Sequence, residues 1–270
     1  MKYPLHTDYN PNVTTLSEQV LLTAWPALTD YHDDLVLVGG LVPRYLCRRR
    51  LSMLPAVTMD VDLGIALGAT AGQYGSLSSH LTGLGFKREA ERFVKSVRGV
   101  DIYLDFLTEV PGKDTGTVMV DDVPTAVFRG IDRALGCNRD CQIEGTDLYG
   151  AQQRCRVRVC EAGPYLVLKL IAFARRKQPK DVFDLHQIAM HYDGGPSAVA
   201  GAFAAEKDVN SGFTLARAAL AEHFTNRDAS GPLRGAAFMV GENPSSSARD
   251  EHLRIREELV NFGQMLLAAT

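Results

Sequence analysis

Asp60 and Asp62 stand one residue apart in the run Thr58-Met59-Asp60-Val61-Asp62. Side chains alternate along an extended strand, so residues two apart share a face. The two carboxylates then project side by side while Val61 turns into the core. Anions held that close repel one another unless a proton or a cation lies between them. Magnesium prefers hard oxygen ligands and readily shares its site with substrate phosphates. The pair therefore points to metal-assisted phosphoryl or nucleotidyl transfer. The bland alternative is two surface acids on an edge strand. Against it, Val57, Met59, Val61, Leu63 and Ile65 form an apolar face that leaves Thr58, Asp60 and Asp62 together on the other. An acid pair also runs against strand propensity, and such violations tend to mark functional sites.

Further residues extend this chemistry. Gly39-Gly40 follow Val36-Leu37-Val38 at a strand-to-helix junction. Such a junction has unpaired N–H groups, and the missing Cβ atoms let a phosphate come close. A plain tight turn is the alternative, and neither a Walker A motif nor a G-x-G-x-x-G fingerprint is present. Asp101 and Asp105 share a face with Tyr103 on a strand over 100–107. Asp105, between Leu104 and Phe106, is favoured as a third carboxylate, and Asp101 sits by a turn where solvation is expected. Three acids could hold two ions, one activating a hydroxyl and one holding a triphosphate. Lys169 interrupts the apolar helix 165–174, with Phe173 and Arg176 on its face. These cations could meet a triphosphate, unless Lys169 merely snorkels along the helix. Asp184, on the next helix, could orient Lys169 or Arg176. Asp181 has a simpler role open to it as a helix-dipole partner. The basic runs Arg48–Arg50 and Arg175–Lys177 are candidates for phosphate contacts or are solvated helix ends.

These side chains need elements to position them. Thr15 and Glu18 have capping-box spacing for a helix to about Leu28. Buried strand 35–38 leads into a helix over 41–50, with Pro43 tolerated in its first turn. The Asp-bearing strand covers 57–66, and a helix ends near Leu84. Strands 93–97 and 100–107 pair about an Arg98-Gly99 turn. Short strands are expected at 118–120, 125–128 and 157–160. Character changes at Gly163-Pro164, after which helices are predicted at 165–177, 180–192, 196–206, 211–224 and 248–268. A polar loop over 241–247 precedes the last of them. This divides the chain into domains 1–163 and 164–270.

Bulk properties set few limits. With 270 residues, 46% hydrophobic and 23% charged, the chain is an ordinary globular one, and a net charge of -3 gives no global attraction to nucleic acid. A polyanion site must come from local clusters. The start lacks the apolar core of a signal peptide, and no apolar run reaches the length of a membrane span. Five cysteines, an odd number, fit free thiols in a reducing cytoplasm. Their spacing does not match a zinc framework well, and His186 and His191 are read as structural.

Val38-Gly39-Gly40-Leu41-Val42-Pro43 followed by Thr58-Met59-Asp60-Val61-Asp62-Leu63 resembles the first motif of polymerase-β-like nucleotidyltransferases. The run Lys169…Arg175-Arg176-Lys177-x-x-Lys180-Asp181-x-x-Asp184-Leu185 is similar to the AbiEii/AbiGii branch, the toxins of bacterial toxin–antitoxin and phage-defence systems. The resemblance covers about residues 35–190. It implies an α+β fold, a mixed sheet with flanking helices plus a C-terminal helical region, and a cleft between them. By position, Gly39, Gly40, Thr58 and Arg176 fall on the nucleotide side. Asp60, Asp62 and Asp105 become the metal ligands, Lys169 the nucleotide contact and Asp184 the polar residue of the last motif. Magnesium, an NTP, an RNA acceptor such as a tRNA 3′ end and a cognate antitoxin are the implied partners. A protein or small-molecule hydroxyl as acceptor, or nucleotide binding without turnover, are the alternatives.

Overall fold

The computed structural model describes residues 5–8, 11–47, 58–70 and 75–270. The chain divides into two compact units, one of residues 11–45 and 58–161, the other of 162–270 with the described residues 5–8, 46 and 47.

The first unit is built on a nine-stranded mixed sheet. In chain order it holds α1 (Pro11–Ala27), β1 (Leu35–Val38), a 3-10 turn over Gly39–Leu41, α2 (Val42–Leu46), β2 (Asp60–Ile65), α3 (Leu77–Gly83), β3 (Lys87–Glu89), β4 (Arg92–Val97) and β5 (Val100–Thr108). There follow β6 (Thr117–Val120), β7 (Val123–Val127), α4 (Ile131–Gly136), β8 (Asn138–Thr146) and β9 (Gln152–Cys160). The strand order is β3-β4-β5-β2-β1-β9-β8, and β7 joins the far end of β5 with β6 beside it. All four residues of β1, Leu-Val-Leu-Val, are buried, as expected of a central strand covered on both faces. It runs antiparallel to β2 and parallel to β9, while β2 runs parallel to β5. The β4–β5 hairpin closes on Arg98 and Gly99, with φ of 52° and 79°, the two left-handed residues that a type I′ turn needs.

Alternation is clean where the core needs it. In β5, Ile102, Leu104 and Phe106 are buried while Tyr103 and Asp105 are half-exposed. α1 packs on the sheet, and Trp25 is fixed there by its Nε1–H donating to Arg156 O at 3.0 Å. Glu18 of α1 accepts from Tyr45 Oη at 2.7 Å and from Arg44 at 3.1 Å, which ties α2 down. Gly64 lies on the same face of β2 as Asp60 and Asp62. A β-carbon there would meet Val36 Cγ1 at 2.9 Å and Ile131 Cγ2 at 3.3 Å, so α4 closes this face two residues beyond Asp62.

The second unit is helical: α5 (Ala162–Arg176), α6 (Pro179–His191), α7 (Gly195–Ala204), α8 (Phe213–His223), α9 (Ser230–Val240) and α10 (Arg249–Ala268). α5 packs on α6, α7 and α8, and α9 on α6 and α10. Gly235 makes the last packing possible, since a β-carbon would lie 2.7 Å from both Leu259 Cδ1 and Val182 Cγ1. Among the described residues no helix is long and apolar enough to cross a membrane.

The architecture is the expected α+β one, with differences in detail. The helix expected over 41–50 is a 3-10 turn and the five-residue α2, and Arg48–Arg50 lie outside the described residues. β2 begins at Asp60, and Val57 is not described. β8 falls where a loop is expected, and α9 falls in a stretch, 225–240, for which the sequence predicts no element. β8 carries Asp140, Gln142 and Glu144 outward, with Cys141 and Ile143 buried between them.

Candidate active site

Strand pairing brings the acids together. In the parallel β2–β5 register Asp62 lies opposite Asp105 and Asp60 opposite Tyr103. Asp60, Asp62 and Asp105 therefore share one face, each partly exposed, with Val61 and Leu104 buried behind them. Asp62 also lies opposite Val38, the residue before Gly39. Gly39 has φ of +74°, and a β-carbon built on it would fall 1.8 Å from Asp62 Oδ2. Only glycine suits this backbone and leaves that carboxylate its place. The turn after β1 runs into a helix of five residues, so backbone N–H groups rather than a large helix dipole are what it offers an anion.

A cation already stands among these acids. Arg92, at the start of β4, donates through Nε to Asp105 Oδ1 at 2.8 Å and through Nη2 to Asp105 Oδ2 at 2.5 Å and Asp60 Oδ1 at 3.0 Å. Its guanidinium carbon lies 4.0 Å from the centroid of the Tyr103 ring, a cation–π arrangement. Burial pushes the Asp105 carboxyl up, Arg92 offsets part of that, and Asp60 adds to the rise. Burial on its own would lower the Arg92 pKa, but its hydrogen bonds and charge contacts with Asp105 and then Asp60 raise it instead. No spacing rule in the sequence marks Arg92, which is 13 and 32 residues from its partners. The one available signal is the antiparallel hairpin, whose register sets residue 92 beside residue 105.

The donor chemistry fits a hard divalent ion: carboxylate oxygens on adjoining strands, with the Gly39 cradle keeping room for one of them. In the arrangement described, Arg92 serves as the counter-ion, and no three His, Cys, Asp or Glu side chains among the described residues are gathered closely enough to hold a metal. Asp101 lies on the same strand but is exposed and paired with Ser96. Thr58 is fully buried, and its hydroxyl engages the backbone of Asp60 at 3.3 Å (N) and 3.2 Å (O). Its carbonyl accepts from Ser17 Oγ at 3.1 Å. In this conformation Thr58 holds the entry to β2.

The helical unit contains a second charged cluster. Lys169 is buried, and its Nζ lies 2.5 Å from Asp184 Oδ2 and 3.5 Å from Asp181 Oδ1. Arg176 grips Asp181 with Nε at 2.7 Å and Nη2 at 2.6 Å. Lys169 therefore does not snorkel, and Asp184 orients it. Burial would raise the Asp181 carboxyl, but Lys169 and then Arg176 outweigh it and hold the group below the usual carboxylate range. Burial likewise opposes the Lys169 charge, and Asp184 and Asp181 outweigh it and hold the ammonium above its usual value. Arg176 stays about half exposed, at 49% of its side chain. Within the basic run, Lys177 donates to His223. His186 is bonded to Glu258 at 2.9 Å, in keeping with a structural role. No disulfide links the five cysteines, four of which are buried.

A family model described as "Nucleotidyl transferase AbiEii toxin, Type IV TA system" matches residues 21–258. No curated protein and no solved structure matches the chain.

Proposed function

The chain belongs to the AbiEii nucleotidyl transferase family of Type IV toxin–antitoxin systems, and from that premise we propose that it transfers NMP from an NTP to an RNA 3′ hydroxyl, a tRNA end being the favoured acceptor, with magnesium assistance. Membership makes it a nucleotidyltransferase toxin with a cognate antitoxin; nucleotide, metal and acceptor are our reading. The observation that carries it is the convergence of Asp60, Asp62 and Asp105 on one face beside Gly39.

In this reaction the acceptor oxygen attacks the α-phosphorus, the bond to the bridging oxygen breaks, and pyrophosphate leaves. Asp60, Asp62 and Asp105 would hold divalent metal, which when bound supplies charge neutralisation at the phosphates. Asp105, whose burial favours taking a proton, is the candidate acceptor for the hydroxyl proton. Gly39 and Gly40 leave backbone N–H groups open to a phosphate. In the helical unit Arg176 is half-exposed and paired with Asp181, and Lys169 with Asp184 fixes the helices that carry it.

The test is incubation of the protein with each labelled NTP, magnesium and total RNA. Wild type should label RNA and Asp60→Ala should not. Labelled protein bands would redirect the acceptor, and tight NTP binding without any product would remove the enzymatic reading.

A further inference from the structure

We propose that Arg92 competes with the divalent cation for the same carboxylate oxygens, serving as an internal counter-ion that holds the acid cluster together before metal arrives. This rests on the metal-assisted reading of Asp60, Asp62 and Asp105.

Three carboxylates on neighbouring strands repel one another, and the fold must offset that repulsion in the metal-free protein. Arg92 does so geometrically. Its fork takes both oxygens of Asp105 and one of Asp60, at 2.5–3.0 Å. Here both Asp105 oxygens accept from the fork, so a cation coordinating that carboxylate is held beside the positive guanidinium and is weakened unless that group moves away. The guanidinium cannot yield by losing its proton, because it stays charged at any working pH. It must move, and the site permits that: its side chain is 38% exposed, and the Tyr103 face beneath it, at 4.0 Å, offers a resting place that does not depend on the acids. Arg92 belongs to β4, whereas the acids belong to β2 and β5. Its displacement need not disturb the register of the strands that carry the ligands.

The experiment is titration of chelator-stripped full-length protein with Mn2+ alone, read by electron paramagnetic resonance or calorimetry, for wild type, Arg92→Gln, Arg92→Lys and Asp62→Asn. Competition predicts that Arg92→Gln binds Mn2+ about tenfold more tightly, the scale expected when one charged hydrogen-bonded competitor is removed. Arg92→Lys, which keeps the charge and loses the fork, should fall between the two. The metal-free melting temperature of Arg92→Gln should drop, and added Mn2+ should raise it by more than it raises wild type. If Asp62→Asn loses Mn2+ while Arg92→Gln binds it as wild type does or more weakly, Arg92 only positions the acids; the inference falls and the metal-site reading stands. If neither wild type nor Arg92→Gln binds Mn2+, both fall. Should Arg92→Gln fail to fold, Arg92→Lys decides, with affinity equal to or below wild type overturning the proposal.

Discussion

Gly39 and Asp62 are fitted to each other: a β-carbon at residue 39 would lie 1.8 Å from Asp62 Oδ2, on a backbone with φ of +74°. The turn after β1 and the second acid of β2 are therefore one structural feature. Gly39→Ala should cost about 1–2 kcal/mol for the left-handed backbone alone, plus the displacement of the Asp62 carboxylate. In an Asp62→Ala background the carboxylate clash is gone, and beyond the backbone cost only the Cβ of residue 62, at 2.7 Å, still crowds the new side chain. A double-mutant cycle read by urea denaturation should give a coupling above about 1 kcal/mol. Additive costs would mean that the two residues do not meet in solution.

Asp62→Asn separates function from stability. The substitution removes one of three like charges and keeps the side-chain shape, so thermal stability should hold or rise. RNA labelling should fall by about 10²–10³-fold, the scale seen when a group stabilising developing charge is removed. A large fall in melting temperature would instead place Asp62 among structural residues.

The local half of the site is legible because it rests on short-range geometry. Period-two alternation puts Asp60 and Asp62 on one face, and a glycine pair after an apolar run marks the turn. Asp105 is legible through its apolar flanks. Arg92 is not, because only the pairing of β4 with β5, and of β5 with β2, brings it to its partners. β8 escapes the pattern because its outward charges are balanced across the hairpin, by pairs such as Glu144–Arg154 at 2.9 Å. Those charges hide the short buried pattern of Cys141 and Ile143. α9 escapes for a different reason. Gly231, Pro232 and Gly235 look like breakers, yet the proline lies in the first turn and Gly235 is required by Leu259 and Val182. Lys169 shows the limit of reading a charge on an apolar helix: its partners, Asp181 and Asp184, lie on the following helix, where the sequence alone leaves snorkelling open.

Thiol reactivity should follow burial. Burial, aided by the negative charge of Asp193, pushes the Cys47 thiol up to about 12, so almost no thiolate forms at neutral pH. Cys141, Cys155 and Cys160 are also buried, and Cys137 alone is partly exposed. Under native conditions at pH 8 a disulfide reagent such as DTNB should react quickly with Cys137 only, and in denaturant with all five. Rapid native reaction of Cys47 would mean that its surroundings open on that timescale.

The Lys169 cluster should limit stability at both ends of the pH scale. Asp181 is held below its ordinary value, so its contribution is present above the unfolded carboxyl pKa of about 3.9 and is lost as pH falls through the folded value. Lys169 is held above its ordinary value, so its contribution is present below about 10.4 and is lost as pH rises through the folded value. The cluster's own contribution to the urea midpoint should be flat between those limits and fall outside them. Lys169→Met strands Asp184 as a buried charge without its 2.5 Å partner and should cost about 3–5 kcal/mol. Adding Asp184→Leu should recover more than half of that loss, since an apolar pair of similar volume avoids the desolvation penalty. If Lys169→Met kept its full urea midpoint and lost only nucleotide affinity, the buried network would not be what holds α5 against α6, and the lysine would serve the nucleotide alone.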